Sequence, residues 1–399
     1  MIKTRADITM FSPAIINSFS ERETPFYYYD LNLLQQSLNA CMKAADRYGF
    51  HIHYAMKANF NERMLSAIKD TAIGADCVSA GEVKKAVELG FPAEKIVFAG
   101  VGKSDREINE ALDLDIFSFN VESMQELEVI NELAGRKGKI AKIALRINPN
   151  VDALTHHNIT TGLDENKFGI NQWELSSCIE LLKQLNNIEF LGIHFHIGSQ
   201  ITDLNVFKSL CVKINELHQW FEDRGLVIKV LNVGGGLGVD YHNPDEKPVA
   251  DFEGYFAVFD QFLTRRKGQE VHFELGRALV ATSGALITRV LYVKNGLKKN
   301  FLILDAGMTE LMRPMLYQAY HKIENITRKE NVNTTDQICR YDVVGPICES
   351  TDCFAKEVEL PVSYRGDLVV IRTAGAYGEV MASAYNLREP IQYVYSEKE

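Results

Sequence analysis

Apolar runs of β-strand length alternate with amphipathic helical patterns over the first two thirds of the chain. The runs lie near residues 51–57, 73–78, 96–99, 116–119, 141–147, 190–197, 228–233 and 271–275. Strands that alternate with helices form parallel sheets, and eight such units close into an α/β fold, the (β/α)₈ TIM-type barrel. An open doubly wound sheet is the alternative. The count of eight favours the barrel, and no GxGxxG fingerprint follows the first strand.

The pattern also marks where helices begin and end. Residues 26–30 read as a strand that ends at a helix cap, and the helix that follows stops at Gly49. Three later helices begin with Ser-x-x-Glu, the signature of a reciprocal capping box: Ser79 with Glu82, Ser104 with Glu107, and Ser123 with Glu126. These signals place the helices between the predicted strands.

The helical period disappears after about residue 278, and short β-like runs replace it. They lie at Leu286–Val293, Phe301–Leu304, Tyr341–Val344, Val358–Leu360 and Leu368–Ile371. We therefore predict a barrel domain over 36–278 and a C-terminal, mostly-β domain over 279–399. Within the barrel, the stretch 148–170 is rich in Asn, Thr, His and Gly, and loops that long are usually functional.

Composition narrows the class of partner. The net charge of −10 gives no general attraction to nucleic acid or anionic lipid. No apolar run reaches the roughly 18 residues that a membrane span needs, and the N-terminus makes a poor signal peptide. The seven cysteines are scattered, odd in number and without a CxxC pair. That pattern predicts reduced thiols and a cytoplasmic location. The net charge and the lack of a long apolar run predict no membrane or nucleic-acid partner.

Polar residues and glycines lie at or just beyond the carboxyl ends of the predicted strands, where a barrel has its active site. They are Lys57, Asp76, Ser79, Arg146, Asn148, His194, His196, Ser199, Gly234–Gly236, Glu274, Gly276 and Arg277. Glycines let backbone N–H groups approach a phosphate closely. A lysine that binds covalently, an acid for a ring nitrogen and a phosphate cradle are together what pyridoxal 5'-phosphate requires. We expect Glu274 to be the acid.

Each of these residues also has an ordinary structural interpretation. Lys57 can be a solvated surface charge, and Gly234–Gly236 can be a tight turn. Cys348 can be an inert buried thiol, the usual state of a free cysteine. The His-x-His pairs at 51/53 and 194/196 place both rings of a pair on one strand face. Neither pair has an acidic or cysteine partner at ligand spacing, so no metal site is predicted.

Ten stretches together resemble the diaminopimelate decarboxylase family, fold-type III pyridoxal phosphate enzymes of the alanine racemase/ornithine decarboxylase class. The resemblance runs over nearly the whole chain, from about Thr24 to Asn386, and the ten stretches occur in the order typical of the family. The stretches are YAMKAN (54–59), GADCVSAGE (74–82), RINPNVDALTHHNITTGLDENKFGI (146–170), HFHIGSQ (194–200), NVGGGLG (232–238), ELGR (274–277), DAGM (305–308), RPMLYQAYH (313–321), GPICESTD (345–352) and GAYGEVMASAYN (375–386). One departure is Leu275, where most members have proline.

The resemblance implies roles for individual residues. Lys57 is similar to the Schiff-base lysine, and His196 to the histidine that stacks on the cofactor ring. The other implied cofactor contacts are Asp76, Ser199, Gly235, Gly236, Glu274, Gly276, Arg277 and Tyr377. The implied substrate contacts are Arg277, Arg313, Tyr317, Glu349 and Tyr377. Cys348 is similar to the acid that reprotonates Cα, donated with Glu349 across a homodimer interface.

The activity that the resemblance implies is decarboxylation of meso-2,6-diaminoheptanedioate to L-lysine and CO2. Arg277 and Arg313 suit a distal carboxylate, which ornithine, lysine and arginine lack. Carboxynorspermidine decarboxylase is the alternative enzyme, and a non-catalytic homologue that binds pyridoxal phosphate is an alternative of another class. The resemblance also implies that residues 1–35 join the C-terminal β domain.

Overall fold

The computed structural model describes residues 11–150, 167–328 and 338–396, which divide into two compact units. The barrel unit consists of the described parts of Ser37–Gly238 and Asp251–Leu279. The β unit consists of the described parts of Met1–Gln36, Val239–Ala250 and Val280–Glu399. The domain boundaries placed at residues 36 and 279 stay a prediction. Most of the predicted loop 148–170 lies outside the described residues.

The described chain opens with helix α1 (Pro13–Ser20), strand β1 (Phe26–Tyr29) and helix α2 (Leu31–Tyr48). Asp30 caps α2, because its Oδ1 accepts hydrogen bonds of 3.0 Å from the two backbone N–H groups of Asn32 and Leu33. Gly49 follows the helix with φ +67°, a left-handed conformation that glycine adopts without strain. The predicted strand, cap and helix stop are all confirmed.

Eight parallel strands close into a barrel in chain order, which confirms the predicted (β/α)₈ fold. The strands are β2 (Phe50–Ala55), β3 (Gly74–Cys77), β4 (Ile96–Phe98), β5 (Ser118–Val121), β6 (Ala141–Arg146), β7 (Ile188–His194), β8 (Val230–Asn232) and β9 (Glu270–Leu275). Most of their residues are buried on both faces, which explains why they read as near-continuous apolar runs. The predicted sixth strand, 190–197, ends three residues early at His194, so His196 lies in the loop after β7.

Helices connect the strands of the barrel. They are α3 (Glu62–Lys69), α4 (Ala80–Glu88), α5 (Asp105–Asp113), α6 (Met124–Arg136), α7 (Leu175–Leu182), α8 (Asn205–Glu222), α9 (Phe252–Phe262) and the short α10 (Arg277–Val280). Aromatic rings join α9 to the barrel wall: the ring of Phe273 lies 4.9 Å from those of Phe256 and Phe259, edge to face. Such pairs contribute about 0.5–1.5 kcal/mol beyond their burial.

Serines cap three of these helices as predicted: Ser79 before α4, Ser104 before α5 and Ser123 before α6. At Ser104 the box is reciprocal, since Glu107 accepts a hydrogen bond from the serine N–H at 3.1 Å. At the other two caps the glutamate accepts instead from the residue before the serine, Val78 or Glu122, at 2.7 Å. The prediction of a reciprocal box is wrong there. Both serines are more extended than Ser104, with φ near −155°, which presents the preceding N–H to the glutamate.

The β unit is built on one eight-stranded sheet, which confirms the predicted mostly-β domain. Its further elements are β10 (Gly284–Asn295), β11 (Asn300–Leu304), helix α11 (Arg313–Tyr317), β12 (Ile323–Asn325), β13 (Ile338–Val344), β14 (Cys353–Pro361), β15 (Leu368–Ile371) and β16 (Gln392–Tyr395). The strand order is β12-β15-β10-β11-β13-β14, and β1 pairs with both β10 and β16. The sequence patterns did not predict α11, β12 or β16, each at most five residues long.

An apolar core covers one face of this sheet around β1 and β10. Its buried members are Phe11, Phe19, Phe26, Tyr28, Ala285, Ile287, Ile326, Leu368 and Val370. The rings of Phe19 and Tyr28 meet edge to face at 5.0 Å. Residues before the barrel thus supply side chains to the core of the β unit. Across the whole described chain, every helix is too short or too polar to cross a membrane.

Candidate active site

Lys57 lies in a 3-10 turn, Met56–Ala58, directly after β2. The N–H of Asn59 closes the turn onto the carbonyl of Met56 at 3.1 Å. The hydroxyl of Tyr54 donates to the carbonyl of Asn59 at 2.8 Å. The sequence YAMKAN therefore folds into a braced turn, which holds the lysine at the carboxyl end of its strand. The side chain of Lys57 is 37% exposed.

Two glycines at the ends of β8 and β9 are required by close approaches. A Cβ on Gly276 would lie 2.9 Å from Cβ of Ala58, so glycine lets the end of β9 approach the lysine turn. A Cβ on Gly235 would lie 1.8 Å from the carbonyl oxygen of Glu274. No other residue fits either position without moving the backbone. These glycines bring the lysine turn and the Gly234–Gly236 loop close to the end of β9.

Asp76, in β3, is buried beside the lysine. Its Oδ2 lies 3.6 Å from Nζ of Lys57, and neither carboxylate oxygen accepts a hydrogen bond from any described residue. Burial, followed by the negative charge of Glu274, raises the pKa of Asp76 to about 8. The positive charge of Lys57 opposes that rise. A carboxyl group with a pKa near neutrality, next to an amine, is suited to hold and release a proton.

Glu274, near the end of β9, is held from three directions inside the barrel. Its Oε1 accepts hydrogen bonds from the side-chain amides of Asn120 at 2.9 Å and Asn232 at 2.7 Å. Its Oε2 lies 2.9 Å from Nε2 of His194. A carboxylate offers about four acceptor positions. Three of them are used by described residues, which leaves one on Oε2 for another donor.

The environments of the two buried carboxyl groups push their pKa values apart. Burial by itself raises the pKa of Glu274, but the charge and hydrogen bond of His194, with the charge of Lys57, hold it well below its usual value. The pKa of Asp76 is raised. Pairs of carboxyl groups separated in this way take different roles, one ionised and one proton-carrying. The lowered pKa favours the ionised form of Glu274, and the raised pKa makes Asp76 able to exchange a proton near neutral pH.

His196 lies in the loop after β7 and is half-buried. The N–H of Gly235 donates to its Nδ1 at 3.5 Å. Burial, with the positive charges of Lys57 and Arg146, lowers the pKa of His196 well below its usual value. The ring is therefore neutral near pH 7, and it offers an uncharged face to an aromatic ligand.

Arg146, the last residue of β6, is fixed by Glu122, which the sequence analysis did not single out as a site residue. Nη1 of Arg146 donates to Oε1 of Glu122 at 2.7 Å, and both side chains are buried. Glu122 also accepts from the N–H groups of Gly100 at 2.9 Å and Gly169 at 3.1 Å. The guanidinium lies 4.8 Å from the ring centre of Phe168. This network anchors Phe168 and Gly169, near the end of the 148–170 stretch, to the end of β6.

Ser199 and Arg277 meet at the same end of the barrel. The guanidinium donates to the serine hydroxyl through Nε at 3.3 Å and Nη2 at 3.0 Å. Arg277 is buried at the start of α10, and Gly236 has φ +110°. A serine hydroxyl, a buried guanidinium and a glycine-rich loop together form a set of donors suited to phosphate.

The β unit holds the other predicted site residues, beginning with Arg313. Its Nη1 donates to Nε2 of His321 at 2.8 Å, and Nδ1 of His321 in turn donates to the carbonyl of Arg372 at 2.8 Å. The second bond fixes the imidazole tautomer, so that Nε2 is the acceptor. The guanidinium of Arg313 also lies 5.1 Å from the ring centre of Tyr241. The structure thus holds a buried arginine in one orientation.

Cys348 and Glu349 are exposed on the β unit. The alternative of a buried thiol is therefore wrong for Cys348. The hydroxyl of Tyr385 donates to Oε1 of Glu349 at 2.8 Å. Tyr317 ends α11, and Tyr377 adopts φ +55°, a left-handed conformation that is uncommon for tyrosine.

Comparison with known proteins identifies the family. The family model described as "Pyridoxal-dependent decarboxylase, pyridoxal binding domain" matches residues 32–281. Diaminopimelate decarboxylase of Bacteroides thetaiotaomicron is 55% identical, over 94% of this chain and 96% of its own. The chain belongs to the diaminopimelate decarboxylase family. The crystal structure of diaminopimelate decarboxylase from Helicobacter pylori complexed with L-lysine is 40% identical, with a TM-score of 0.88 over 96% of this chain and 93% of its own. The Aquifex aeolicus member is 40% identical over 92% of this chain and 84% of its own.

Members of the diaminopimelate decarboxylase family use pyridoxal phosphate, and the residues of the barrel unit fit that group. The buried carboxylate of Asp76 has no hydrogen bond from a described residue, and Glu274 keeps one acceptor position on Oε2. Gly235 lets its loop pack directly against the backbone of Glu274, where any side chain would collide with the carbonyl oxygen. Lys57 offers an amine, and Ser199 with Arg277 offers hydrogen-bond donors suited to a phosphate. These donors and acceptors match the needs of an aldehyde, a ring nitrogen and a phosphate.

Several supporting residues were not named from the sequence. Asn120 and Asn232 hold Glu274, Glu122 holds Arg146, and His321 holds Arg313. Asparagine in the middle of an otherwise apolar strand was the available signal, since a buried amide needs a partner. His321 lies within the quoted stretch RPMLYQAYH, but its role depends on a contact that only the fold reveals.

Proposed function

We propose that this chain catalyses the decarboxylation of meso-2,6-diaminoheptanedioate to L-lysine and CO2, the last step of lysine biosynthesis. The observation that carries the proposal is the 55% identity, over 94% of the chain, with a diaminopimelate decarboxylase. The Helicobacter pylori relative was crystallised with L-lysine, the product of this reaction. The arrangement of the barrel residues is consistent with that chemistry.

The barrel residues bind and orient the cofactor. Pyridoxal phosphate, when bound, supplies the electron sink for the bonding pair that CO2 leaves behind. Lys57 would hold it covalently through Nζ, and Glu274, whose carboxylate lies 2.9 Å from Nε2 of His194, would keep a proton on its ring nitrogen. His196 packs its neutral ring against the cofactor. The phosphate is held by Ser199, Gly235, Gly236, Gly276, Arg277 and Tyr377.

Asp76 exchanges a proton with Nζ of Lys57. Its Oδ2 lies 3.6 Å from Nζ of Lys57, and its raised pKa lets it carry a proton near neutral pH. Lys57 must be uncharged to act as a nucleophile, and it must be able to take up a proton when its bond to the cofactor breaks. A carboxyl group at this distance accepts that proton from Nζ or returns it. Glu274 is unsuited to this role because its pKa is lowered.

Charged groups select the distal end of the substrate. Arg313, buried and oriented by His321, binds the distal carboxylate together with Arg277 and Tyr317. Glu349 binds the distal amine. An amino acid without a distal carboxylate, such as ornithine, would leave the buried guanidinium of Arg313 unpaired, which costs about 1–3 kcal/mol or more. This requirement favours meso-diaminoheptanedioate over ornithine, lysine and arginine.

The active site is completed by a second copy of the chain. Cys348 and Glu349 are exposed in the single chain. Residues that reach into the active site of a partner across a homodimer interface need this accessibility. Cys348 then delivers the proton that replaces CO2 on Cα, a step that typically contributes about 10²–10⁴-fold in rate. We further propose a cytoplasmic enzyme without nucleic-acid partners, supported by seven free cysteines and a net charge of −10.

A turnover assay tests the activity. The purified holoenzyme is given meso-diaminoheptanedioate, carboxynorspermidine or ornithine, and released CO2 is measured. We expect kcat/KM for meso-diaminoheptanedioate to exceed that for ornithine by at least about 10²-fold, the value of one lost charge-assisted contact or more. A preference for carboxynorspermidine or ornithine would overturn the proposal. Bound cofactor without turnover of any of the three would instead identify a non-catalytic homologue.

A further inference from the structure

Two histidines and a glutamate meet at the end of the barrel opposite to Lys57. His51 is the second residue of β2, and Glu270 and His272 lie at the start of β9. In the parallel pairing of these strands, His51 stands directly beside His272. Lys57 follows the other end of β2. Because all eight strands are parallel, this His51–Glu270–His272 cluster lies at the amino-terminal end of the barrel, away from the proposed active site.

The cluster brings three metal-binding side chains within reach of one another. One ligand atom from each residue lies within 4.8 Å of the other two. Nε2 of His272 is 3.0 Å from Oε2 of Glu270, and the imidazole rings of His51 and His272 stack with centres 4.8 Å apart. His51 and Glu270 are exposed, so an ion can enter from solvent and both side chains can adjust.

A chain of hydrogen bonds orients Nε2 of His272 toward Glu270. Nδ1 of His53 lies 3.1 Å from the carbonyl of Lys95, which can only accept, so His53 donates there and its Nε2 is an acceptor. Nε2 of His53 lies 2.8 Å from Nδ1 of His272, which must therefore donate. In neutral His272 the lone pair is then on Nε2, facing the carboxylate of Glu270. Two acceptors 3.0 Å apart require a proton or a cation between them.

Packing holds the same ring in place. Phe117 stacks on His272 with ring centres 5.4 Å apart and planes 9° from parallel. His272 and His53 are buried, at 4% and 3% exposure. A histidine whose second nitrogen donates to a fixed acceptor, and whose ring cannot rotate, has the supporting contacts that metal-ligating histidines have in proteins.

We propose that His51, Glu270 and His272 bind one divalent transition-metal ion of the zinc type at the amino-terminal end of the barrel. Two imidazoles and one carboxylate are a ligand set that suits Zn²⁺, and water can complete the coordination sphere. The prediction of no metal site considered spacing along the chain only. The acidic partner comes from β9, 219 residues after His51, and meets it because the barrel closes.

The ion ties the first strand of the barrel to the last. β2 and β9 are the seam at which the barrel closes, and the three ligands lie on its two sides. An ion that binds only the folded chain stabilises it by an amount that grows with the logarithm of the free ion concentration once that concentration exceeds Kd. The site is therefore structural: it raises the resistance of the barrel to unfolding and leaves turnover unchanged.

Zinc titration of the holoenzyme tests the site. Calorimetry measures the number of Zn²⁺ ions bound per chain, and thermal unfolding measures the midpoint with and without Zn²⁺. Two variants remove ligands at the surface, His51→Ala and Glu270→Gln, and His242→Ala, an exposed histidine of the β unit, is the matched control. Retained kcat and the visible absorbance of bound cofactor show that each variant is folded.

We expect wild type and His242→Ala to bind one Zn²⁺ more tightly than either ligand variant by about 100-fold or more, since even the loss of a supporting contact costs about 10–100-fold. Zn²⁺ should raise the unfolding midpoint by a few degrees in those two proteins only. The proposal is overturned if the ligand variants bind Zn²⁺ as tightly as wild type does. It is also overturned if Zn²⁺ does not raise the wild-type midpoint, or raises it equally in the variants. Because neither variant touches the proposed active site, loss of this site would not bear on the proposed activity.

Discussion

Oε2 of Glu274 lies 2.9 Å from Nε2 of His194, inside a barrel where both side chains are buried. Two asparagine amides bind the other oxygen of the same carboxylate. The anion is therefore fixed in place before any ligand arrives. Preorganised charge of this kind contributes to catalysis because no reorganisation is needed during the reaction.

Replacing this anion should impair the chemical step. We expect Glu274→Gln to lower kcat by about 10²–10³-fold, the range for the loss of one preorganised electrostatic contact. KM should change little, because the residue does not touch the distal end of the substrate. Steady-state kinetics measures both. Glu189→Gln, an exposed glutamate of β7, is the control, and an unchanged kcat in Glu274→Gln would contradict the assigned role.

Asp76 should make the cofactor-free protein less stable as the pH rises. Its pKa is about 8 in the folded chain, whereas the unfolded carboxyl group titrates near about 4. Between these values the folded chain binds a proton that the unfolded chain has released. The contribution of this group to the free energy of unfolding therefore falls as the pH rises through this window.

Asp76→Asn removes this dependence. The free energy of unfolding of the variant minus that of wild type should grow by a few kcal/mol between about pH 4 and about pH 8, because each pKa unit is worth about 1.4 kcal/mol. Urea unfolding of the cofactor-free proteins across that range measures it. Asp46→Asn, an exposed aspartate of α2, is the control. Parallel curves for wild type and Asp76→Asn would show that Asp76 is ionised throughout.

Arg313 should act on substrate binding, and His321 should act through Arg313. We expect Arg313→Ala to reduce kcat/KM for meso-diaminoheptanedioate by about 10–150-fold, equivalent to one charge-assisted hydrogen bond, chiefly through KM. His321→Ala should reduce it less, and adding it to Arg313→Ala should cost little more, because the two act as one unit. Additive losses in the double variant would contradict the positioning role of His321.

A shared active site predicts complementation between two inactive variants. Lys57→Ala and Cys348→Ala chains are each mixed with the other under conditions that allow subunits to exchange. Half of the dimers are then hybrids, and one of their two sites is intact, so about one quarter of wild-type activity should return. Absence of recovery despite proven exchange would mean that each chain builds its own site.

The fold was largely predictable because burial on both faces of a parallel strand produces an apolar run that stands out in the sequence. All eight barrel strands were found in this way, and the caps at Ser79, Ser104 and Ser123 follow from local hydrogen bonding. The short strand β16 was missed because its four residues pair with β1, more than 360 positions away. Nothing local in Gln392–Tyr395 records that partner.

The site was predictable where a residue type is itself diagnostic. Lysine after an apolar strand, as at Lys57, and three consecutive glycines both stand out in the sequence. Residues whose role depends on a contact in the folded chain were not recognised from the sequence. His321 matters because it contacts Arg313, and Glu270 matters because barrel closure brings it to His51. Such contacts depend on strand pairing and side-chain direction, which spacing along the chain does not encode.

Lys57 is proposed to hold the cofactor covalently. Reduction of the holoenzyme with borohydride fixes the cofactor to the amine that carries it, and mass spectrometry of the digested protein then finds the modified lysine. We expect the label on Lys57 alone, with the visible absorbance of bound cofactor lost in Lys57→Ala and retained in Lys142→Ala, an exposed lysine of β6. Label on another lysine, or an intact absorbance band in Lys57→Ala, would contradict the account.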